Sequence, residues 1–478
     1  MVANRLRITV LGTVAAVNLA TLGAGGAVAR MLPARLALWD VARVRAAPLA
    51  QQRPALPGAG TPRALATGAG LAAALGPLLA APTLGPGAGI TVTELATGTV
   101  LYSRNGTAPT TPASSQKLTT AAAALAALGP AARLATTVVP GRAAGTIVLV
   151  GGGDPTLAAG QPPASDYPRP ATLQSLAAVT ARSLRARGET RVRLRYDTSL
   201  FTGPAMAPGW TQSYISTGNV TPISALEVDQ GRLTPAGRPQ DADDPVNFRP
   251  RSLDPAGDAA RAFASFLAAD GIRVTAPSPG RAPARAATLA TVQSPTVAAM
   301  AGWMLRESNN VIAEDLARQV ALRTGRPASF SGAAAAVTAV LARLGVTRGV
   351  HLVDGSGLSP GDQLSPSALA GLLTAAARPR NEMLRPIFAA LPVAGFSGTL
   401  AAGQSVFGNF GPAALGTVRA KTGNLTTTAS LTGMAADASG ETLGFAIMAG
   451  HVPRGGLTRA ADTIDRVATA LAACGCAH

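Results

Sequence analysis

"TPASSQKLTTAAAALAALGP", residues 111–130, decides how this chain is read. Pro112 opens the stretch and Gly129-Pro130 closes it, start and stop signals around a helical apolar run. Ser114 stands one helical turn before Lys117, so both fall on one face at the N-terminus of that helix. The helix dipole there favours developing negative charge. Lys117 is one of only two lysines among 41 basic residues, and the other, Lys421, opens the run Lys421-Thr422-Gly423. Arginine keeps its proton in any protein, whereas a buried lysine can lose one. A position that shuttles a proton therefore tolerates lysine and not arginine.

The rest of the chain bounds the setting. A length of 478 residues suggests two or three domains, and 47% hydrophobic with 14% charged residues is a globular composition. The formal charge of +17 suggests an anionic neighbour, such as a lipid surface or a wall polymer. Scattered arginines, 4% aromatics and the lack of a recognition-helix or RNA-stacking motif argue against nucleic acid. Arg5 and Arg7 precede an apolar stretch from Ile8 to Ala29. A positive flank before an apolar run is an export signal, and this run is also long enough to span a bilayer. Residues 1–30 are thus expected to be a signal peptide or membrane anchor, with the bulk of the chain in the cell envelope, outside the cytoplasm. Cys474 and Cys476 stand too close to close an unstrained loop, have no third partner, and are read as tail residues without a function. His351, His451 and His478 show no metal spacing, and no Gly-x-Ser-x-Gly elbow occurs. Neither a metal, a cofactor nor a histidine-driven triad is expected.

Residues 31–62 read as a Pro/Ala-rich linker, after which "RALATGAGLAAALGPLLAAP" is an Ala/Leu helix. "GITVTELATGTVLYSRNG" alternates on both sides of Ala96-Thr97-Gly98, the pattern of a hairpin. Turn-rich loops mix with short strands such as "TRVRLRYDTSLF" up to residue 285, which suggests an inserted β-containing region. Helical periodicity then returns. The segment from Leu415 to Gly450 reads as three antiparallel strands before a final helix near 456–472. A sheet covered by terminal helices, with a helical lobe between its strands, is an α+β fold. The parts are 63–133 and 286–473 for one catalytic domain and 134–285 for the insertion.

Three motifs line up in order: Ser114-x-x-Lys117, Ser308-Asn309-Asn310 and Lys421-Thr422-Gly423. That ordered set is the signature of serine β-lactamases and penicillin-binding proteins. The residue types suit acyl transfer without histidine. Ser114 is the expected nucleophile, activated by a neutral Lys117. Ser308 is expected to relay a proton to the leaving amine and Asn310 to hold the substrate amide. Lys421 and Thr422 are expected to bind a terminal carboxylate, the Lys421 charge biasing Lys117 toward its neutral form. The N–H groups of Ser114 and Asn424, beside Gly423, are assigned to the oxyanion hole.

The chain resembles the class C low-molecular-mass penicillin-binding proteins, the D-alanyl-D-alanine carboxypeptidases/endopeptidases. "LVGGGDPTL" (149–157), "PGWTQSYISTGNVTPISALEVDQGR" (208–232), "LVDGSGLS" (352–359) and "PVAGFSGTL" (392–400) extend the likeness over roughly residues 63–455. The resemblance implies a transpeptidase-like fold of antiparallel sheet and all-helical lobe, with the insertion between the first two motifs. It implies peptidoglycan stem peptides as substrates and β-lactam antibiotics as covalent inhibitors. It also places Ser356 at the substrate cleft. Where relatives often carry an arginine after "DGSGLS", this chain has Pro360, a departure that bears on recognition of the stem peptide's diamino acid. The rival readings are a non-catalytic wall-binding or β-lactam-sensing protein on the same fold, and a β-lactamase.

Overall fold

The computed structural model describes residues 66–162, 168–233, 249–403 and 405–476. The apolar stretch 8–29 and the linker that ends at residue 62 lie outside the described residues. Among those described, no helix is long and apolar enough to cross a membrane.

Helix α1 (Gly68–Leu79) precedes the hairpin of β1 (Gly89–Glu94) and β2 (Val100–Arg104), and α2 (Lys117–Leu128) follows it. The next group comprises β3 (Ala135–Pro140), β4 (Thr146–Val150), α3 (Leu173–Arg185), β5 (Arg191–Asp197), α4 (Pro255–Ala269), β6 (Arg273–Val274), β7 (Ser278–Pro279) and β8 (Ala290–Gln293). Helices α5 (Val297–Arg306), α6 (Asn310–Arg323), α7 (Phe330–Arg343) and α8 (Pro366–Ala377) lead to β9 (Val418–Leu425), β10 (Thr428–Ala436) and β11 (Thr442–Ala449). Helix α9 (Leu457–Ala473) closes the fold.

The first sheet joins both ends of the chain in the order β9-β10-β11-β1-β2, all antiparallel. Strands β10 and β11 are buried along almost their whole length, because both faces are covered. Ile90, Val92, Leu431, Phe445 and Ile447 pack on Leu71 and Leu75 of α1 and on Ile464, Val467 and Leu471 of α9. On the opposite face Ala446 and Met448 meet the helical lobe through Leu118, Ile312, Leu316, Val337 and Leu369. Helix α2 runs through that lobe, buried from Lys117 to Leu125. Its four consecutive alanines let neighbouring helices close in on every side, as a helix apolar all round requires.

The second sheet runs β6-β5-β4-β3-β8, with β7 also on β5. Strand β5 is parallel to β4, a pairing that needs a crossover, and α3 supplies it. Helices α3 and α4 cover one face with Leu173, Leu176, Phe263 and Leu267 against Val138, Ile147, Leu149, Val192 and Leu194. The outer strand β8 pairs with β3 and lies past residue 285. Its four residues are too few to leave a readable period.

The cysteine reading is corrected. Cys474 and Cys476 are bonded to each other, their Cα atoms 4.9 Å apart, within the span a disulfide bridges. The tail they close is tied down where the carbonyl of Cys476 accepts the N–H of Thr67 at 2.8 Å.

Candidate active site

Ser114 sits in a 3-10 turn, Ala113–Gln116, that leads into α2. Ala113 before it holds φ at +48°, a costly conformation for a residue with a Cβ and one found where function fixes the backbone. The turn is pressed from the far side by Gly357. A Cβ on that residue would come within 2.0 Å of the Ala113 carbonyl oxygen, and its φ is +82°. Only glycine fits there.

Ser114 is half-buried, while Lys117 has no exposed surface. The Lys117 Nζ donates to Ser114 Oγ at 2.8 Å, to Asn310 Oδ1 at 2.6 Å and to the Ser356 carbonyl at 2.8 Å. Three acceptors match the three hydrogens of an ammonium. In the amine form one of those directions becomes a lone pair, and the one toward Ser114 can receive its proton. Burial brings the Lys117 pKa down to about 7, against the opposing pull of Asp354, Glu314 and Asp362. Loss of water is the largest cause of this shift.

Asn310 is the first residue of α6, whose N-cap, Asn309, accepts the N–H of Ile312 at 3.0 Å. The Asn310 Nδ2 donates to the Asn219 carbonyl at 2.9 Å. Its side chain thus grips Lys117 on one side and the segment 208–232 on the other. Ser308 is half-buried and makes no hydrogen bond among the described residues, and its φ of +58° is a second strained position.

The third motif lies on β9, an edge strand. The Ala420 N–H donates outward, to the Pro392 carbonyl rather than to β10. Every second residue repeats that direction, so the N–H groups of Thr422 and Asn424 also point away from the sheet. Beside them the strand is stitched to the nucleophile's turn. Ser115 Oγ lies 2.8 Å from Ser430 Oγ, and Ser430 Oγ donates to the Pro112 carbonyl at 2.7 Å. Gly423 lies where this approach is closest. A Cβ there would meet Ser430 Oγ at 2.3 Å, the Pro112 carbonyl oxygen at 2.6 Å and the Ser115 nitrogen at 2.9 Å. Lys421 has no exposed surface, and its Nζ donates to the Thr422 carbonyl at 2.8 Å. Burial and the nearby Lys117 charge push its pKa well below the ordinary lysine value. Thr422 Oγ1 donates to Thr399 Oγ1 at 2.9 Å. Asn424 is exposed.

Ser356 meets the site through its backbone. It is fully buried, and it reaches the site through its carbonyl, which accepts from Lys117. The loop that carries it is folded around two carboxylates. Glu314 Oε1 accepts the N–H groups of Gly355 at 3.0 Å and Ser356 at 2.8 Å. Asp354 accepts Gly357 N at 2.7 Å, Ser359 N at 2.7 Å and the Trp210 indole N–H at 2.8 Å. Burial raises the Glu314 pKa, and burial beside Asp354 pushes Asp362 up to about 10. Pro360 packs on Gly209, and its carbonyl accepts from Thr111 at 3.4 Å.

Sequence reasoning missed Glu314, Trp210 and Asn219. Glu314 and Arg318 look like a surface i,i+4 pair, yet they are 0% and 1% exposed, with Arg318 lying 4.0 Å over the Phe330 ring. The available signal was that α6 is too apolar around them to face water. Glu314→Ala would leave Arg318 without its salt-bridge partner and the Gly355 N–H unsatisfied. The expected loss of unfolding free energy is about 3–5 kcal/mol, read from denaturant midpoints. A loss below about 1 kcal/mol, the scale of a surface pair, would contradict this.

With that geometry in place, relatives can be compared. The family described as D-Ala-D-Ala carboxypeptidase 3 (S13) matches residues 71–249 and 237–471. The chain belongs to this family. Within reach of the S13 assignment, carboxypeptidase Rv3627c of Mycobacterium tuberculosis is 42% identical over 416 residues, 85% of each chain. Carboxypeptidase DacB of Mycolicibacterium smegmatis is 41% identical over 412 residues, again 85% of each. The crystal structure of penicillin binding protein 4 from Haemophilus influenzae shares the S13 chain's fold, with a TM-score of 0.66 at 24% identity over 84% of this chain and 98% of that one.

Proposed function

We propose that the chain is a serine D-alanyl-D-alanine carboxypeptidase that trims peptidoglycan stem peptides through an acyl-enzyme on Ser114. The observation that carries this is the 2.8 Å contact between Ser114 Oγ and the Nζ of a fully buried Lys117. Neutral Lys117 takes the Ser114 proton as Oγ attacks the carbonyl carbon of the penultimate D-alanine. The resulting oxyanion is held by the N–H groups of Ser114 and Asn424. Collapse breaks the C–N bond, and the leaving amine takes a proton from Lys117 by way of the Ser308 hydroxyl. Water then attacks the Ser114 ester with Lys117 again as base, which frees the shortened peptide and restores the serine.

Lys421 and Thr422 receive the terminal carboxylate. Buried and with no salt bridge among the described residues, Lys421 is held low; a carboxylate beside it favours the charged form again. On a cross-linked substrate the same steps, with a second stem peptide as leaving group, make an endopeptidase. β-Lactams follow the same path to the acyl-enzyme, but their leaving nitrogen stays tethered in the site. A non-catalytic wall-binding protein would have no need of a buried base poised on a serine. The substrate puts the reaction outside the cytoplasm, and residues 8–29 are the segment we assign to export or anchoring.

The test is release of D-alanine from a pentapeptide across pH. Lys117 works as a base, so activity is present above its folded-state pKa and lost as pH falls through it. Accordingly kcat/KM should fall about tenfold per pH unit below a midpoint near 7 and level off above it. No release of D-alanine, or a profile that is flat from about pH 5.5 to 8.5, would contradict the reading.

A further inference from the structure

The second sheet is covered by helices on one face only. Along β5, "RVRLRYD", Val192 and Leu194 are buried toward α3 and α4, while Arg191, Arg193 and Arg195 project exposed from the other face. Strand β6 adds Arg273, in register beside Arg191 and also exposed. Alternate residues on a strand stand about 6.6 Å apart and adjacent strands about 4.8 Å apart. Four guanidinium groups therefore form a straight row with a branch at one end.

None of the four is paired with a carboxylate among the described residues. Arg193 donates to Thr146 Oγ1 and the Ala144 carbonyl, and Arg195 to the Pro279 carbonyl. Those neutral acceptors orient the groups without cancelling their charge. Asp254 and Asp258 are on or beside α4 and already hold Arg261. Asp197, at the far end of β5, is capped by the N–H groups of Ser199 and Ala282.

We infer that this face binds a linear phosphodiester polymer of polyol units. Arginine forks bind phosphate oxygens in pairs, and a row of evenly spaced forks matches a chain of evenly spaced anions. The large exposed apolar side chains, Val100, Leu233, Leu253, Met383, Phe396 and Leu415, all lie off this sheet. A protein partner would want an apolar or aromatic centre, and a lipid-inserting surface would want Trp, Phe or Leu along the basic residues. A row of charge with a polar neighbour in Ser278, paired with Arg195, suits a hydrated polyanion better. Such a contact would hold the enzyme against an anionic wall polymer without engaging the Ser114 site.

The probe is fluorescent poly(glycerol phosphate), titrated against the full chain over a range of salt concentrations. Replacement of Arg191, Arg193 and Arg195 by serine is compared with the same replacement at Arg343, Arg348 and Arg380, exposed arginines outside this sheet. All six sites are solvent-facing, and an unchanged thermal midpoint checks that both variants fold. At about 50 mM salt the sheet variant should bind at least about tenfold more weakly, and its log K against log salt slope should flatten by about two units. The control should lose less than about threefold. Equal losses in the two variants would reduce the effect to net charge and overturn the proposal, as would absence of binding by the unaltered chain. So would arginine-dependent binding to phosphatidylglycerol vesicles without binding to the polymer, which would make the face a membrane contact.

Discussion

Lys117→Arg is expected to lower the second-order rate of acylation by a penicillin about ten-thousandfold, or ~5.4 kcal/mol, as far as Ser114→Ala does. Two physical effects combine. Guanidinium keeps its proton at any working pH, so it cannot accept the one on Ser114 Oγ. The cavity is also filled: Lys117 has no exposed surface and its Nζ already sits between Ser114, Asn310 and the Ser356 carbonyl. A longer, planar head there displaces the nucleophile. Lys421→Arg is the informative contrast, because charge is what that position supplies to a carboxylate. Its rate should fall less, tens to a thousandfold, about 1.5–4 kcal/mol. Equal losses at the two positions, in variants shown to be folded, would refute the division of labour between the lysines.

Gly423→Ala should cost about a hundredfold in the same rate. No charge and no hydrogen-bonding group changes. The added methyl meets Ser430 Oγ, the Pro112 carbonyl and the Ser115 nitrogen at distances that real Cβ atoms do not adopt. Two of those neighbours are backbone, so β9 must move away from the nucleophile's turn. The Asn424 N–H and the Ser114 N–H then separate, and a displacement near 1 Å in such a site is worth about two orders of magnitude. Stability should fall as well, so the rate is compared at equal folded concentration. An alanine variant that acylates within about threefold of the unaltered chain would mean the strand does not help to hold the oxyanion.

Much of the plan was legible in the sequence, because it rests on local patterns. The hairpin around Ala96-Thr97-Gly98, the buried helix after Lys117 and the three C-terminal strands all follow from periodicity and turn residues. So does the order of the three motifs, and the structure brings Ser114, Lys117 and Asn310 into direct contact. What escaped was long-range or hidden. The Lys117–Ser356 contact joins residues 239 apart, and Gln116 meets Asp354 across 238. No spacing rule reaches that far. The strained backbones of Ala113 and Ser308 are set by their surroundings, and neither residue type announces a positive φ. A serine in a Gly-rich loop reads as exposed, and nothing in the sequence says that the Ser356 carbonyl is the group that meets Lys117. The cysteines were misjudged because a two-residue spacing says nothing about how the chain turns after α9.

The central claim is that Ser114 carries the acyl group. Its most direct measurement is the mass of the intact chain after incubation with a penicillin, followed by mapping of the modified peptide. The account predicts one long-lived adduct per chain, located on Ser114 within "TPASSQKLTT" and absent from Ser114→Ala. An adduct on Ser115 or Ser308, an adduct that persists in Ser114→Ala, or no adduct at all would contradict it.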